Sequence, residues 1–479
     1  YWRMAWWNNA MSGEDLLRQK VALALSEILV ISEDSKLDRD AFGLAAYYDV
    51  LNSNAFGNYR DLLEEVTYHP SMGYFLSSIN NSPTNEDENI HPDENYAREV
   101  MQLFTIGIHQ LEMDGSIVTD EDGVPIPTYE SNDVGELAKV FTGLGPAQYW
   151  SPWVDYSEET VEWGAWFNTV PFINSTLPMV MFEGWHEEGV KHLLNGASTV
   201  DGASGGQDID MALDLLFEHS NTPPFVSKLL IQRMVKSNPS PEYIERVASV
   251  FVNNGEGVRG DLSAVVKAIL LDEEARHCSW IEDVSSGKMR EPMMRYMQLL
   301  KSFNASNQSG KMWSVGWMAQ EMGQHPMAAP TVFNFFLPTY APSGPISDSS
   351  LVAPEFELLN SANSIKYINL IADMCLGGTY MESITMAHPD DIGIPWWDAG
   401  INSPEDNVTL DFEDEIILAS NDVQAMVDRL NILLAGGTAS SETLDIISTL
   451  IDVEGIAPAD RVKLALYLLL ISPDYIIQK

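Results

Sequence analysis

The chain has 479 residues, 45% of them hydrophobic, enough apolar material for one large core or two to three ordinary ones. Its 70 acidic residues outweigh 26 basic ones, a formal net charge of -44 that disfavours nucleic acid and anionic membranes as partners. Only Cys278 and Cys375 occur, which excludes a disulfide-stapled scaffold and leaves a single bridge open. No stretch approaches the roughly 20 apolar residues of a membrane span.

The chain opens on YWRMAWW, and Trp2, Trp6 and Trp7 are expected to pack against a core. With no initiator Met and no leader, residue 1 reads as an internal point of a longer precursor. Residues 14–31, EDLLRQKVALALSEILVI, carry apolar positions at helical spacing. Helices follow over 41–56 and 58–76, the second broken at Pro70. After a polar stretch at 80–93, HPDENYAREVMQLFTIGIH (91–109) begins a further helix. Residues 109–129 hold two Asp-Gly turns between short alternating runs, which predicts a β-hairpin or meander. Helix resumes at 133–144. An aromatic stretch without periodicity covers 145–183, and a Gly-rich loop spans 195–206. Four helices then precede a second half that begins near Lys288, passes through a Pro-rich segment at 325–354 and ends in short helices. The pattern predicts a mainly α, multi-helical fold with a small β insertion. Its organisation reads as an N-terminal helical region, 1–287, and a C-terminal one, 288–479, packed together as one unit.

Several collinear segments carry a resemblance. ENYAREVMQLFTIG, ELAKVFTGL, WHEEGVKHLLNG, PPFVSKLLIQRMVKSNPSPEYIERVASVF, APTVFNFFLPTYAPSG, LVAPEFELLNSAN and LALYLLLISPDYIIQ resemble the bacterial family known as domain of unknown function 1800. The resemblance implies an exported bacterial protein, periplasmic, cell-surface or extracellular. It also implies a neighbour similar to the sulfatase and alkaline-phosphatase superfamily. It brings no established activity. Shorter members carry a His-Asn-His-Phe run where this chain reads ALSEILVI, so that part is lost or replaced here.

On a helical wheel of 94–108, Ala97, Val100, Met101, Phe104 and Ile108 form an apolar stripe widened by Tyr96 and Leu103. Glu94, Asn95, Arg98, Glu99, Gln102 and Thr105 fill the opposite arc. Glu94 and Arg98 are spaced for an ion pair, and Asp93 for an N-cap. This is either a capped, solvated face or a polar arc lining a cleft. The resemblance covers Glu94, Asn95, Arg98 and Glu99 as a block and favours the cleft.

A second constellation is WHEEGVKH at 185–192, where the family pattern matches His186, Glu187 and Lys191. Histidine beside a carboxylate suits a general base or metal ligand, and lysine neutralises an anionic intermediate. The spacing is not that of HExxH, because His192 follows His186 by six. A surface histidine before a loop is the plainer reading. Gln324 and His325 precede Pro326 in a stiff segment that suits a pocket lining or a core wrap equally. GASGG at 202–206 formally matches a nucleophile elbow, but no strand precedes it, so Ser204 reads as a linker residue. DEDG at 120–123 reads as a hairpin turn, not a calcium loop. The aromatic stretch 149–167, with Trp150 and Trp153 among acids, suits either carbohydrate contact or the capping of a helical core.

These readings combine into one expectation: a hydrolase-like enzyme on an extracellular substrate. Glu99 or His186 acts as base, Arg98 and Lys191 stabilise negative charge, and Gln324, Trp150 and Trp153 hold substrate. A divalent cation is expected, if anywhere, on Glu94 and Glu187, with Glu99 and His186 in reach. The alternative is a non-enzymatic surface or matrix protein, polysaccharide-binding or working beside a phosphatase-like partner, whose polar arc is a buried salt-bridge network.

Overall fold

The computed structural model describes residues 2–151, 155, 159–165, 172–283, 285–306, 308, 310, 322–376 and 410–479. The fold is mainly α, and the strands form three antiparallel pairs of two residues each among the described residues. The chain divides into two compact units. The first holds residues 17–277 and 327–334; the second holds 1–16, 278–326 and 335–479. The division thus falls near 277, but the chain interleaves: the extreme N-terminal helix belongs with the C-terminal part.

In the second unit, α1 (Trp2–Ser12) buries its tryptophans as the composition suggests. The Trp7 ring meets Trp6 and Tyr296 edge-on, and its Nε1–H donates to His325 Nε2 at 3.2 Å.

The first unit begins with α2 (Leu16–Ser26), five residues shorter at its end than the periodicity predicts. At the end of the helix Ser26 Oγ donates to the Leu23 carbonyl, and residues 27–33 continue as buried non-helical chain. Next come α3 (Ala41–Ser53), α4 (Tyr59–Tyr68) and α5 (Pro70–Phe75). The break between the last two is at Pro70, whose ring removes a backbone donor. His69 caps α5, its Nδ1 accepting from the Ser71 amide at 3.1 Å.

The helix expected over 94–108 changes type midway. α6 (Asn95–Glu99) is α-helical, and Val100–Thr105 is a π-helix. Thr105 Oγ1 donates to the Val100 carbonyl, and the amides of Ile106 and Gly107 both donate to Met101. The wider turn ends at Gly107, so Ile108 emerges exposed rather than joining the apolar stripe. Gly107 adopts φ +67, and a Cβ there would meet the Phe225 ring at 2.8 Å. Gly107→Ala therefore carries a left-handed penalty plus an overpacking one, a loss of about 2–3 kcal/mol read from urea midpoints. An unchanged midpoint would contradict this account.

Beyond Gly107 the predicted hairpin is present as isolated antiparallel bridges, His109 with Pro127, Leu111 with Ile117 and Thr119 with Pro125. Asp120 in the DEDG turn accepts from the amides of Asp122 and Val124, as a turn aspartate does. Then α7 (Ser131–Val140) packs against α6 and against α8 (Gly205–Glu218). Two strand pairs separate them. β1 (Leu144–Gly145) lies against β4 (Val180–Met181), and β2 (Tyr149–Trp150) against β3 (Phe172–Ile173). The unit closes with α9 (Thr222–Met234), α10 (Pro241–Val252), α11 (Leu262–Leu271) and the short α12 (Glu273–Arg276).

The remainder of the second unit begins with β5 (Lys288–Met289), paired with β6 (Ile477–Gln478). Its helices are α13 (Pro292–Ser302), α14 (Pro345–Asp348), α15 (Ser361–Leu376), α16 (Glu413–Asn421), α17 (Val423–Ala435), α18 (Ser441–Ile451), α19 (Pro458–Leu470) and α20 (Pro473–Ile476). α19, which contains LALYLLLI up to Leu470, packs on α15, α16 and α18, a core helix as read. Among the described residues no helix is long and apolar enough to cross a membrane. Cys278 is exposed, Cys375 is buried, and both are free thiols.

Candidate functional site

The segment Thr142–Gly143, just past α7, is a hub. Gly143 donates its amide to the Asn81 carbonyl, and φ +85 there is a conformation that glycine adopts without strain. A Cβ at Gly143 would sit 3.0 Å from the His186 amide nitrogen. Asn81 in turn brackets the start of α6: its Oδ1 accepts from the Asp93 amide at 2.8 Å, and its Nδ2 donates to the Asp93 carbonyl. Asp93 accepts from the Asn95 amide in a local turn, but the N-cap of α6 is Glu94, whose side chain makes no capping bond, so the cap expected at Asp93 falls one residue outside the helix.

Thr142 holds the other constellation. His186 Nδ1 lies 3.0 Å from the Thr142 carbonyl, and the Glu187 amide donates to Thr142 Oγ1 at 2.8 Å. On the far side of the ring, His186 Nε2 is 3.1 Å from both Lys191 Nζ and Asp208 Oδ2. Lys191 Nζ also donates to Asp208 Oδ2 at 2.7 Å and to the Glu187 carbonyl. The three ammonium hydrogens thus have three acceptors, which fits the imidazole tautomer with its proton on Nδ1, donated to Thr142. His186, Lys191 and Asp208 are 7%, 2% and 2% exposed, and charged side chains at such depth persist only when paired. Asp208 Oδ1 is buried and accepts no hydrogen bond.

Asp208 is brought there by a local rule. Ser204 is not a loose linker but the N-cap of α8, in a capping box with Gln207, and Asp208 follows in the first turn. Its carboxylate gains from the positive end of the helix as well as from Lys191. Glu187 takes a different direction. Its carboxylate accepts from the Thr84 amide at 2.6 Å and so ties the 80–93 segment to the 185–192 turn.

Glu94 and Arg98 form the expected i,i+4 pair at 2.8 Å, both partly exposed, a contact worth little on its own. Glu99 differs from them. It is 9% exposed, and its Oε2 has no hydrogen-bond partner. Burial raises its carboxyl above the ordinary range, while the Arg98 guanidinium pulls the other way. Tyr129, at the returning end of the hairpin, covers this part of the arc. Its hydroxyl donates to Gln102 Oε1 at 3.4 Å, and burial, opposed by Arg98 and aided by Glu99, raises its phenol. The wheel places Glu99 on the polar arc with Glu94 and Arg98, and unlike those two it is buried.

The remaining expected residues lie elsewhere. Gln324 belongs to the second unit, buried, its amide donating to Glu291 and its oxygen accepting from the Met293 amide. Trp150 is exposed on β2 with its ring tilted against Phe42, and Trp153 lies outside the described residues. Among the described residues no three His, Cys, Asp or Glu side chains converge in a way that could hold a metal ion. Glu94, Glu99, His186 and Glu187 accordingly do not share one centre. In the ALSEILVI stretch, buried Glu27 lies 3.4 Å from Arg233 Nε.

Helix packing and these contacts define a mainly α protein whose polar hub is a buried His–Lys–Asp cluster, tied by hydrogen bonds to the start of the helix that carries the buried Glu99. The chain belongs to the family described as protein of unknown function (DUF1800), whose model matches residues 1–477. Neither a curated protein nor a solved structure matches it.

Proposed function

We propose that this chain is an exported hydrolase-like enzyme in which Glu99 is the acid–base group. The observation that carries this reading is Glu99 itself: a carboxyl raised by burial, one oxygen without a partner, at the junction of an α and a π turn. π segments recur at functional sites, and a carboxyl raised by burial keeps its proton to higher pH than an exposed one and can both give and take it. Glu99 gives its proton to the leaving group. As a carboxylate it then accepts one from the attacking water, so the elements of water are added across the cleaved bond. Arg98 steadies the anion meanwhile. His186, Lys191 and Asp208 act here as positioning residues, because their donors are committed to one another and to Thr142 and Glu187. Export, and work beside a sulfatase- or phosphatase-like neighbour, follow from the family resemblance.

The test is a hydrolase screen of the purified chain with glycoside, ester, amide and phosphate substrates, repeated with Glu99→Gln. An activity that falls on the order of 100-fold in the variant, at unchanged melting temperature or above, supports the reading. No turnover by the parent, or full turnover by Glu99→Gln, overturns it.

A further inference from the structure

We infer that Trp163 and Trp185 form a surface platform for a neutral glycan, a site beyond the expected Trp150 and Trp153. The two indoles stack with centroids 5.1 Å apart and planes 12° from parallel. Trp185 is 44% exposed, and Phe182 closes one edge against Trp163 at 5.6 Å.

Both indoles are mounted rigidly. Trp185 precedes His186, whose backbone and ring are fixed by Thr142, Lys191 and Asp208. On the other side, Asn80 donates from Nδ2 to the Ala165 carbonyl at 2.9 Å and accepts from the Gly164 amide, holding the turn that carries Trp163. Polar anchors on either side of the stacked pair, His186 buried and Asn80 half-buried, remove loop entropy that a ligand would otherwise have to overcome.

Geometry and charge select the ligand. A cage for an organic cation needs rings that converge from several directions. Here the indoles are parallel and cover each other, which leaves a flat face suited to the C–H side of a pyranose. Exposed Glu162 and Glu183 flank the pair along the chain and can accept hydroxyl hydrogens. With the net charge of -44, they also repel acidic glycans. The surface needs no catalysis, so it stands or falls apart from the role of Glu99.

Affinity electrophoresis of the full chain tests it, in gels containing xylan, mixed-linkage β-glucan or galactomannan, with alginate gels and tetramethylammonium competition as the other arms. The expected result is retardation by at least one neutral glycan, weakened about tenfold by Trp185→Ala and less by Trp185→Tyr. Near-UV circular dichroism checks that each variant is folded. If Trp185→Ala is not, Trp163→Phe and Trp185→Tyr must each still weaken retardation. Retardation by no neutral glycan, stronger retardation by alginate, release by tetramethylammonium, or folded variants that bind like the parent each overturn the inference.

Discussion

Asp208→Ala is expected to lower stability by about 3–5 kcal/mol, because it strands Lys191 in the interior without its counter-ion. Lys191 Nζ lies 2.7 Å from Asp208 Oδ2, and both side chains are 2% exposed. Their mutual attraction compensates the loss of hydration on each. Removing one leaves the other's desolvation uncompensated. Lys191→Met should cost a similar amount for the mirror reason. The Lys191→Met/Asp208→Leu double variant removes both charges and should recover most of the loss. Urea denaturation of the two single variants and the double gives the coupling. A single-variant cost below about 1 kcal/mol would mean that water reaches the cluster and that its apparent burial carries no energy.

Acid should weaken each unit through one histidine. Burial lowers His69, in the first unit, to about 3. Burial lowers His325, in the second, also to about 3, with Arg3 adding to the effect. Above the ordinary value of 6.5 each ring is neutral whether the chain is folded or not. As pH falls through 6.5 the unfolded chain binds a proton and the folded chain does not. Stability is then lost at about 1.4 kcal/mol per pH unit for each histidine, down to about pH 3. The raised carboxyls of Asp40 and Glu99 act oppositely, since their folded forms keep protons to higher pH. The informative quantity is therefore a difference between variants. His69→Asn keeps an acceptor for the Ser71 amide, and His325→Gln keeps one for Trp7. Each should flatten the loss by nearly 1.4 kcal/mol per unit between about pH 4 and 5.5, and by less as pH nears 6.5. Slopes equal to the parent's would show that these rings already exchange protons in the native state.

Most of the helical layout was legible because apolar spacing, Pro70 and the Asp-Gly turns act locally. The π turn was not. Nothing in VMQLFT separates it from an α turn, and its cause is tertiary: Gly107 against Phe225 and the Asn221 side chain donating to the Ile106 and His109 carbonyls. His186, Glu187 and Lys191 were singled out by pattern, yet the acid that His186 and Lys191 meet is Asp208, across a polar loop. A usable signal was present. Ser204 with Gln207 three residues on marks a helix start, which places Asp208 in the first turn beside the apolar Ile209, Ala212 and Leu213. Asn81 gave no sign of its bracket around Asp93, because a lone asparagine in a polar run looks like any other loop residue.

The interleaving of the two units bears on the order in which the protein is made. Residues 327–334 complete the first unit, and Met327 accepts from the Glu33 amide across nearly three hundred residues. Meanwhile two of the tryptophans of α1 pack on Tyr296 of α13 and on His325, which leave the ribosome much later. A nascent chain stopped near residue 277 holds one unit unfinished and lacks the Tyr296 and His325 contacts of α1, the kind of incomplete intermediate that chaperones recognise. Cutting the gene between the halves would therefore not yield two self-sufficient fragments, although the contacts divide the protein in two.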